Sequence, residues 1–340
     1  MKALKRCPKR VLNGPCGGMK NDGRCEIADA ECVFLKNYPS ELVLDPGFRE
    51  KLVIKPRKPF TKLLSKVKEK TAWIAEMPPR FDVVKRIDLL RKVKPDALGI
   101  PDNPLGTLHI EASSFAAYLK NKTNAELMVH VTCRDLNRLA LKSRILGLHL
   151  IKAEHVLALT GDHLSMGGER YSTGVFDLDS MRLIYLTRLL SDYGVDEMGK
   201  KIEEKPRLQV GAGLNPYIPL EIEASRISRK LEAGAEFFVT QLVFEKDPVE
   251  NVLRKILELR ENVPVFVSFL LYEPERIRKL LKLMGIPAVE LPETVEKLAE
   301  KYLEVFAELR KIGVPLGVYV STLGKLEYLR IWGEHFAHSV

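Results

Sequence analysis

The feature that most constrains this chain is a repeat in which a short apolar stretch ends in polar residues and leads into an amphipathic helical pattern. The apolar stretches predict strands over residues 73–77, 97–101, 126–133, 155–161, 208–214, 237–243, 263–270 and 315–321. Eight strands that alternate with helices are typical of a (β/α)8 TIM barrel, whose usual size is ~250 residues. A doubly wound parallel sheet is the alternative, but no GxGxxG turn follows any of these strands.

The helical patterns complete the same repeat. They cover residues 82–93, 111–120, 136–149, 178–190, 218–232, 247–260, 274–284, 292–312 and 324–332, and a short helix is expected over 60–68. We therefore predict an α/β chain with a TIM-barrel domain over residues 59–340. A small Cys-rich metal-binding domain and its linker are expected to precede it over residues 1–58.

Composition narrows the classes of partner. The formal net charge is +9, but lysine and arginine alternate with glutamate along the helical patterns, which is typical of solvated helix faces. An anionic ligand is a simpler use of the charge than nucleic acid. No stretch approaches the ~20 apolar residues of a membrane span, and no apolar signal segment is visible. We expect a cytoplasmic protein that binds neither nucleic acid nor membrane.

Four of the five cysteines lie at the start of the chain, at Cys7, Cys16, Cys25 and Cys32. Few large apolar residues surround them, so this segment needs disulfides or a metal in place of a core. A cytoplasmic setting argues against disulfides. Four thiolates suit tetrahedral zinc and a [4Fe–4S] cluster equally well, and the spacing matches neither a zinc ribbon nor a bacterial ferredoxin. A purely structural metal site is one reading, and a redox site is the other.

Polar residues follow four of the predicted strands, at the end where barrel enzymes keep their chemistry. They are Glu76 after the first strand, Thr132, Arg134 and Asp135 after the third, Thr160, Gly161 and Asp162 after the fourth, and Gln241 after the sixth. Four polar strand ends in register predict a shared pocket. Each residue also has a plain structural role open to it, because Asp135 could cap the next helix and Gln241 could be a satisfied core amide.

These strand ends resemble the signature set of the methylenetetrahydrofolate reductases, in the same order and over residues 70–325. The motifs that carry the resemblance are Glu76-Met77-Pro78-Pro79-Arg80, His130-Val131-Thr132-Cys133-Arg134-Asp135, Leu157-Ala158-Leu159-Thr160-Gly161-Asp162 and Thr240-Gln241. The cysteine segment is similar to the small metal-binding partner of the anaerobic reductases. In those systems it is a separate subunit or a C-terminal extension, and it is associated with iron–sulfur chemistry.

The resemblance implies a flavin-dependent TIM barrel in which reduced flavin passes hydride to a methylene-tetrahydrofolate or a related methylene-pterin, giving the 5-methyl form. It implies that Glu76 delivers the proton that opens the methylene bridge, since a desolvated carboxylic acid between Ile74 and Met77 has a raised pKa. It implies that Asp135 lies near the flavin pyrimidine edge. The residues implied to hold the flavin, with FAD favoured over FMN, are His130, Thr132, Arg134, Asp135, Thr160, Gly161, Asp162 and Asp177.

Substrate contacts implied by the resemblance are Gln241, Asn215 and Phe269. Strand seven departs from the family pattern, since Ser268-Phe269-Leu270-Leu271 stands where relatives carry Gly-(Ile/Val)-(Leu/Met)-Pro. Electrons are expected from ferredoxin, a partner subunit or NAD(P)H, through a [4Fe–4S] cluster on the four cysteines, with zinc as the alternative. An oligomer or larger complex is expected. The alternative function is a non-catalytic barrel scaffold that docks a methyltransferase or corrinoid partner.

Overall fold

The computed structural model describes residues 7–27, 30–169, 171–284 and 288–339. Its eight strands form one closed, fully parallel barrel in sequence order. They are β1 Trp73–Glu76, β2 Ala97–Ile100, β3 Glu126–Thr132, β4 His155–Leu159, β5 Gln209–Leu214, β6 Phe237–Leu242, β7 Val265–Leu270 and β8 Leu316–Ser321. The barrel closes where β8 pairs with β1, with Val320 opposite Ala75. The predicted (β/α)8 architecture is therefore confirmed.

Helices surround the barrel and connect its strands. They are α1 Lys62–Glu69, α2 Phe81–Val84, α3 Leu90–Val93, α4 Ala112–Lys120, α5 Arg138–Leu150, α6 Ser180–Arg188, α7 Leu220–Ala233, α8 Asp247–Leu259, α9 Pro274–Met284, α10 Val295–Arg310 and α11 Leu326–Ser339. None of the helices in the described ranges is long and apolar enough to span a membrane.

Several helix boundaries differ from the sequence prediction by a few residues, and α11 extends to Ser339 instead of ending at residue 332. The helix expected over 82–93 is broken into α2, a 3₁₀ turn at Ile87–Leu89 and α3. The helix expected from residue 136 begins at Arg138, because the Asn137 side chain caps it by accepting a hydrogen bond from the Ala140 N–H. The alternative role of Asp135 as the helix cap is therefore wrong.

Side chains fill the barrel interior in layers, as alternation along each strand requires. Ile74, Met128, Leu157, Phe237 and Phe266 point inward and pack together. Leu63, Leu64 and Val67 of α1 join this inner cluster, so α1 closes the amino-terminal end of the barrel. The carboxyl-terminal end is left for polar side chains.

Hydrogen bonds fix α1 in that closing position. The Glu126 carboxylate accepts from the backbone N–H groups of Lys62 and Leu63 at 2.8 and 2.9 Å, and also from His155 Nε2 at 3.0 Å. Gln209 Oε1 accepts from the Thr61 N–H and hydroxyl. A carboxylate at the start of a helix also suits the helix dipole.

The cysteine segment has little regular structure and lies against the barrel. An isolated antiparallel bridge joins Arg24 to Glu31. Met19 packs with Ile218 and Ile222 on the barrel side of the junction. Further along, Leu42, Phe48 and Ile54 belong to the main hydrophobic core, so the predicted linker contributes to the packing of the barrel domain.

Candidate active site

Glu76 ends β1 at the carboxyl-terminal mouth of the barrel. Its carboxylate accepts hydrogen bonds from the Ser321 hydroxyl at 2.6 Å and from the Tyr319 hydroxyl at 3.1 Å, one on each oxygen. Both partners come from β8, which lies beside β1 only because the barrel closes. The two bonds fix the carboxyl group while leaving its side chain partly accessible from the mouth.

Burial dominates the electrostatics of Glu76. The apolar surroundings raise the pKa of this carboxyl above its usual range, and the bonds from Ser321 and Tyr319 offset only part of that effect. No charged side chain is among the groups that shift it. A carboxylic acid that keeps its proton toward neutral pH is the kind of group that serves as a general acid.

His130 and Tyr319 extend the hydrogen-bonded chain across the barrel. His130 Nε2 lies 3.2 Å from the Tyr319 hydroxyl, and the two rings are 5.9 Å apart at their centroids. Burial lowers the pKa of His130 to about 4, so the ring is neutral at physiological pH. Gly99 makes room for this arrangement, because a Cβ at that position would lie 2.5 Å from the Tyr319 ring.

The mouth is open on the side that faces Glu76. Leu159, Gly213 and Gln241 occupy the last inward positions of β4, β5 and β6, and each is only partly buried. A Cβ added to Gly213 would meet only Leu159 at 3.4 Å and the Val239 carbonyl oxygen at 4.0 Å. These three positions therefore leave the rim partly accessible at the same end of the barrel as the acid.

The loops after β3 and β4 hold a second polar group. Arg134 is almost fully buried and forms a two-pronged ion pair with Asp135, at 2.7 and 2.6 Å. Thr132 donates its hydroxyl to Asp102 at 2.9 Å. Gly161 has a φ of +92° and packs against Thr132 and Arg134 so closely that a Cβ would lie 3.0–3.1 Å from theirs. The negative charge of Asp135 is therefore paired with the Arg134 guanidinium.

The other predicted flavin ligands tie the loops together. The Thr160 hydroxyl accepts from the Ser180 N–H at the start of α6. Asp162 accepts from the Leu105 N–H, and Asp177 accepts from the Arg138 N–H at the start of α5. These bonds hold the rim loops in place relative to one another.

One predicted substrate contact, Phe269, requires correction, and a second, Asn215, has partners within the protein. Phe269 is fully buried and stacks on Tyr302 of α10, with ring centroids 4.7 Å apart, so it faces the helical layer and not the mouth. The amide of Asn215 donates to the Gly17 carbonyl at 3.2 Å and accepts from the Tyr217 N–H at 3.0 Å. Asn215 therefore joins the barrel to the cysteine segment.

The four cysteines of the N-terminal segment line one cavity of about 580 Å³. Its lining includes Cys7, Cys16, Cys25 and Cys32 together with Lys9 and Glu26. Burial raises the pKa of the Cys32 thiol to about 11. A metal ion that binds Cys32 therefore has to displace the thiol proton. Within the described parts of the chain, no group of three or more His, Cys, Asp or Glu side chains is arranged to hold a metal ion.

Lys9 connects this cavity to the β4 loop. Its ammonium group donates to the Gly161 carbonyl oxygen at 2.6 Å and pairs with Glu26, and its side chain is only 3% exposed. Burial opposes the charge, but attraction from Cys16 and Glu26 raises the pKa of Lys9. A buried, paired cation thus lies between the cysteines and the loop that carries the predicted flavin ligands.

Comparison with known families decides the identity. The family model described as methylenetetrahydrofolate reductase matches residues 70–323, which include every strand of the barrel. The chain belongs to the methylenetetrahydrofolate reductase family. Membership makes the protein an oxidoreductase that acts on methylenetetrahydrofolate, in a family that depends on a flavin.

A second family model, described as methylene-tetrahydrofolate reductase C terminal, matches residues 2–51. In this reductase-family chain the matching segment precedes the barrel, although the description assigns it to a carboxyl terminus. The match covers all four N-terminal cysteines.

Solved structures with a similar fold are distant from this reductase-family chain. A thiamine phosphate pyrophosphorylase from Pyrococcus furiosus is 14% identical with a TM-score of 0.39, over 82% of this chain and 100% of that chain. A phosphoenolpyruvate phosphomutase from Streptomyces platensis subsp. rosaceus is 13% identical with a TM-score of 0.44, over 81% of this chain and 84% of that chain.

Tyr319, Ser321 and Lys9 were not among the residues predicted from the sequence. Tyr319 and Ser321 were within a correctly predicted strand, and their alternation with Val318 and Val320 marks them as inward-facing. That signal becomes informative only when β8 is placed beside β1. Lys9 gave no signal of its own, since a lysine in a basic N-terminal segment looks solvated.

Proposed function

We propose that the protein reduces 5,10-methylenetetrahydrofolate, or a related methylene-tetrahydropterin, to the 5-methyl form at the carboxyl-terminal mouth of the barrel. The observation that carries the proposal is Glu76, a carboxyl group with a pKa raised by burial, fixed by two hydrogen bonds beside an open mouth. A scaffold that had lost catalysis would have no need for such a group.

Glu76 is the proton donor in this proposal. The methylene bridge of the substrate must open before hydride can reach the carbon, and opening requires a proton on a weakly basic nitrogen. The raised pKa keeps the proton on Glu76 until the substrate nitrogen arrives, and the Ser321 bond orients the carboxyl group. Once the proton has left, the hydroxyls of Ser321 and Tyr319 stabilise the carboxylate.

A flavin bound across the mouth would supply the hydride. The chain's own residues fit such a ligand, because Gly213 leaves the β5 side of the mouth without a Cβ and with few close neighbours. We assign flavin contacts to the rim formed by the loops after β3 and β4. The residues are His130, Thr132, Arg134, Asp135, Thr160, Gly161, Asp162 and Asp177, with FAD proposed over FMN.

Gln241 is the proposed contact for the pterin. It lies at the end of β6 and is half-buried, and its side-chain oxygen accepts from the Leu242 N–H at 3.0 Å. Its amide can present a donor and an acceptor together, which suits the edge of a pterin ring. The Arg134–Asp135 pair, in our proposal, acts on the flavin as an oriented dipole, since the two charges compensate each other.

The cysteine segment is the proposed entry point for electrons. Four cysteines line one cavity, and four thiolates suit a [4Fe–4S] cluster, which we propose over zinc as the alternative. The electron donor is ferredoxin, a partner subunit or NAD(P)H. We place the protein in the cytoplasm and expect it to work as an oligomer or in a larger complex.

Replacing Glu76 with glutamine tests the central assignment. The Glu76→Gln protein should bind flavin and accept electrons from a chemical reductant as the native protein does. Its rate of methylene-carrier reduction should fall about 10²–10⁴-fold, because the amide has no proton to give. Stopped-flow absorbance separates flavin reduction from flavin reoxidation by the substrate.

Glu273→Gln is the matched control, since this carboxylate is bonded to Tyr328 near the same end of the barrel. The reduced flavin of Glu273→Gln should be reoxidised by the methylene carrier at close to the native rate. Native turnover in Glu76→Gln would rule out the assignment of Glu76 as the acid.

Metal analysis tests the cysteine segment separately. Protein prepared without oxygen should contain about four irons per chain and absorb in the visible range of a [4Fe–4S] cluster. One zinc and no iron would refute the electron-entry role and leave the assignment of Glu76 intact.

A further inference from the structure

Glu76, Tyr319 and His130 form an unbranched chain of hydrogen bonds inside the barrel. Tyr319 occupies the middle, 3.1 Å from Glu76 Oε2 and 3.2 Å from His130 Nε2. Its hydroxyl has one hydrogen, so it can donate to only one of these neighbours at a time. The other neighbour must then donate to the Tyr319 oxygen.

Because the Ser321 hydroxyl donates to Oε1, we take the proton of neutral Glu76 to lie on Oε2, and the single hydrogen of Tyr319 then gives the chain two consistent arrangements. When Glu76 is ionised, Tyr319 donates to the carboxylate, and His130 must carry its proton on Nε2. When Glu76 is protonated on Oε2, it donates to Tyr319, and Tyr319 donates to an Nε2 of His130 that carries no proton. His130 then carries its proton on Nδ1.

We propose that Tyr319 is a positioning residue that couples the proton on Glu76 to the tautomer of His130. This inference rests on the proposed function, which makes Glu76 the acid. It means that the loss of the Glu76 proton is registered at His130 on β3, two strands from β1 and itself one of the proposed flavin contacts. Removal of the proton from Glu76 reverses both hydrogen bonds and moves the His130 proton from Nδ1 to Nε2 by exchange with solvent.

Few groups influence the protonation of Glu76 and His130. Burial, Ser321 and Tyr319 are the groups that shift the pKa of Glu76, and burial alone shifts that of His130. Because burial lowers the pKa of His130 to about 4 and raises that of Glu76, the ring loses its charge at a lower pH than that at which Glu76 loses its proton. The change at His130 is therefore a change of tautomer and not of charge.

The test measures both ends of the chain in flavin-loaded protein without substrate. Infrared difference spectra report the protonated Glu76 carboxyl, with the band assigned by its loss in Glu76→Gln. Carbon and nitrogen NMR shifts of the labelled histidine ring report the His130 tautomer. In native protein the tautomer should change with the same midpoint pH as Glu76.

Tyr319→Phe keeps the ring that fills the space above Gly99 and removes only the hydroxyl. The carboxylate loses one donor, so the midpoint of Glu76 should rise by about one pH unit, and the His130 tautomer should no longer follow it. Ser321→Ala is the matched control, because it also removes one donor from Glu76 but leaves the chain to His130 intact. Its Glu76 midpoint should rise similarly, and the tautomer should follow the new midpoint.

A tautomer that stays constant while Glu76 titrates in native protein would overturn the coupling. A tautomer that still follows Glu76 in Tyr319→Phe would also overturn it. The proposed function fails by a different result, which is the absence of methylene-carrier reduction by native protein. Because neither spectroscopic measurement needs substrate, the two failures are distinguishable.

Discussion

The amino-terminal closure of the barrel depends on one carboxylate, and replacing Glu126 with glutamine should weaken it measurably. Three N–H donors converge on Glu126, from the backbones of Lys62 and Leu63 and from His155 Nε2. An amide has one acceptor oxygen and an NH₂ group. In Glu126→Gln that NH₂ group must therefore face at least one of the donors.

The expected magnitude follows from these bonds. A hydrogen bond to a charged group contributes ~1.5–3 kcal/mol, so weakening three of them should lower the free energy of unfolding by about 3 kcal/mol. An unfolding entropy of ~2.1 cal/mol/K per residue gives about 0.7 kcal/mol/K for the chain of 340 residues. The Tm of Glu126→Gln should therefore fall by about 4 °C.

Circular dichroism during heating at pH 7 measures this change. Glu250→Gln is the control, because Glu250 pairs with Lys246 and Arg254 on the surface of α8, and its Tm should move by less than ~1 °C. Equal Tm shifts in the two variants would refute the closure argument.

The pH dependence of the Glu126 effect has a definite sign. Burial opposes the charge of Glu126, but the bonds from His155, Leu63 and Lys62 lower its pKa below the ordinary value. A carboxyl whose folded pKa is lowered contributes stability above its unfolded pKa of ~4.3, and loses it as the pH falls through the folded pKa. The difference between native protein and Glu126→Gln should be constant from pH 6 to 8 and shrink below about pH 4.

Two further variants probe the site and its junction. Gly99→Ala places a Cβ 2.5 Å from the Tyr319 ring, so the ring must move. The free energy of unfolding of Gly99→Ala should then be about 1–3 kcal/mol lower than that of native protein, and its turnover should fall. Native turnover with native stability would contradict the close fit. Lys9→Met leaves the Glu26 carboxylate, 11% exposed, without its cation, which should destabilise the junction by about 3–5 kcal/mol. Limited proteolysis within the first 50 residues should be faster in Lys9→Met than in native protein. Adding Glu26→Gln to this variant should restore part of the resistance. An unchanged cleavage rate in Lys9→Met would show that the Lys9 bond to Gly161 is dispensable.

The barrel could be predicted from sequence because its strands are buried on both faces. Parallel strands covered by helices appear as continuous apolar runs, and turn residues separate them from the amphipathic helices. All eight runs became strands, with ends that differ by a few residues at most. The broken helix before β2 was not visible, since its residues have an unbroken helical pattern.

The direction of a side chain at a strand end was harder to predict. Phe269 was expected at the substrate because family relatives place an aromatic residue near there. Strand alternation decides otherwise, since Phe266 packs inward against Phe237 and Phe269, three residues later, lies on the opposite face. The family pattern was thus a weaker guide at this position than the period of two.

Barrel closure explains why part of the site was missed. Glu76 could be recognised locally, as an acid at the end of an apolar run. Its partners Ser321 and Tyr319 lie 245 and 243 residues away in sequence, and they become neighbours only through the pairing of β8 with β1. No local pattern reports such a contact.

The position of the cysteine segment follows from what it lacks. A segment with few large apolar residues cannot form its own core, so its backbone and charged groups must find partners elsewhere. Several of those partners are in the loop after β4, where Asp179 accepts from the Leu12 and Asn13 N–H groups and Gly161 accepts from Lys9. The same loop carries the proposed flavin contacts. Any change that loosens the cysteine segment should therefore also disturb flavin binding, even when no flavin contact has been altered.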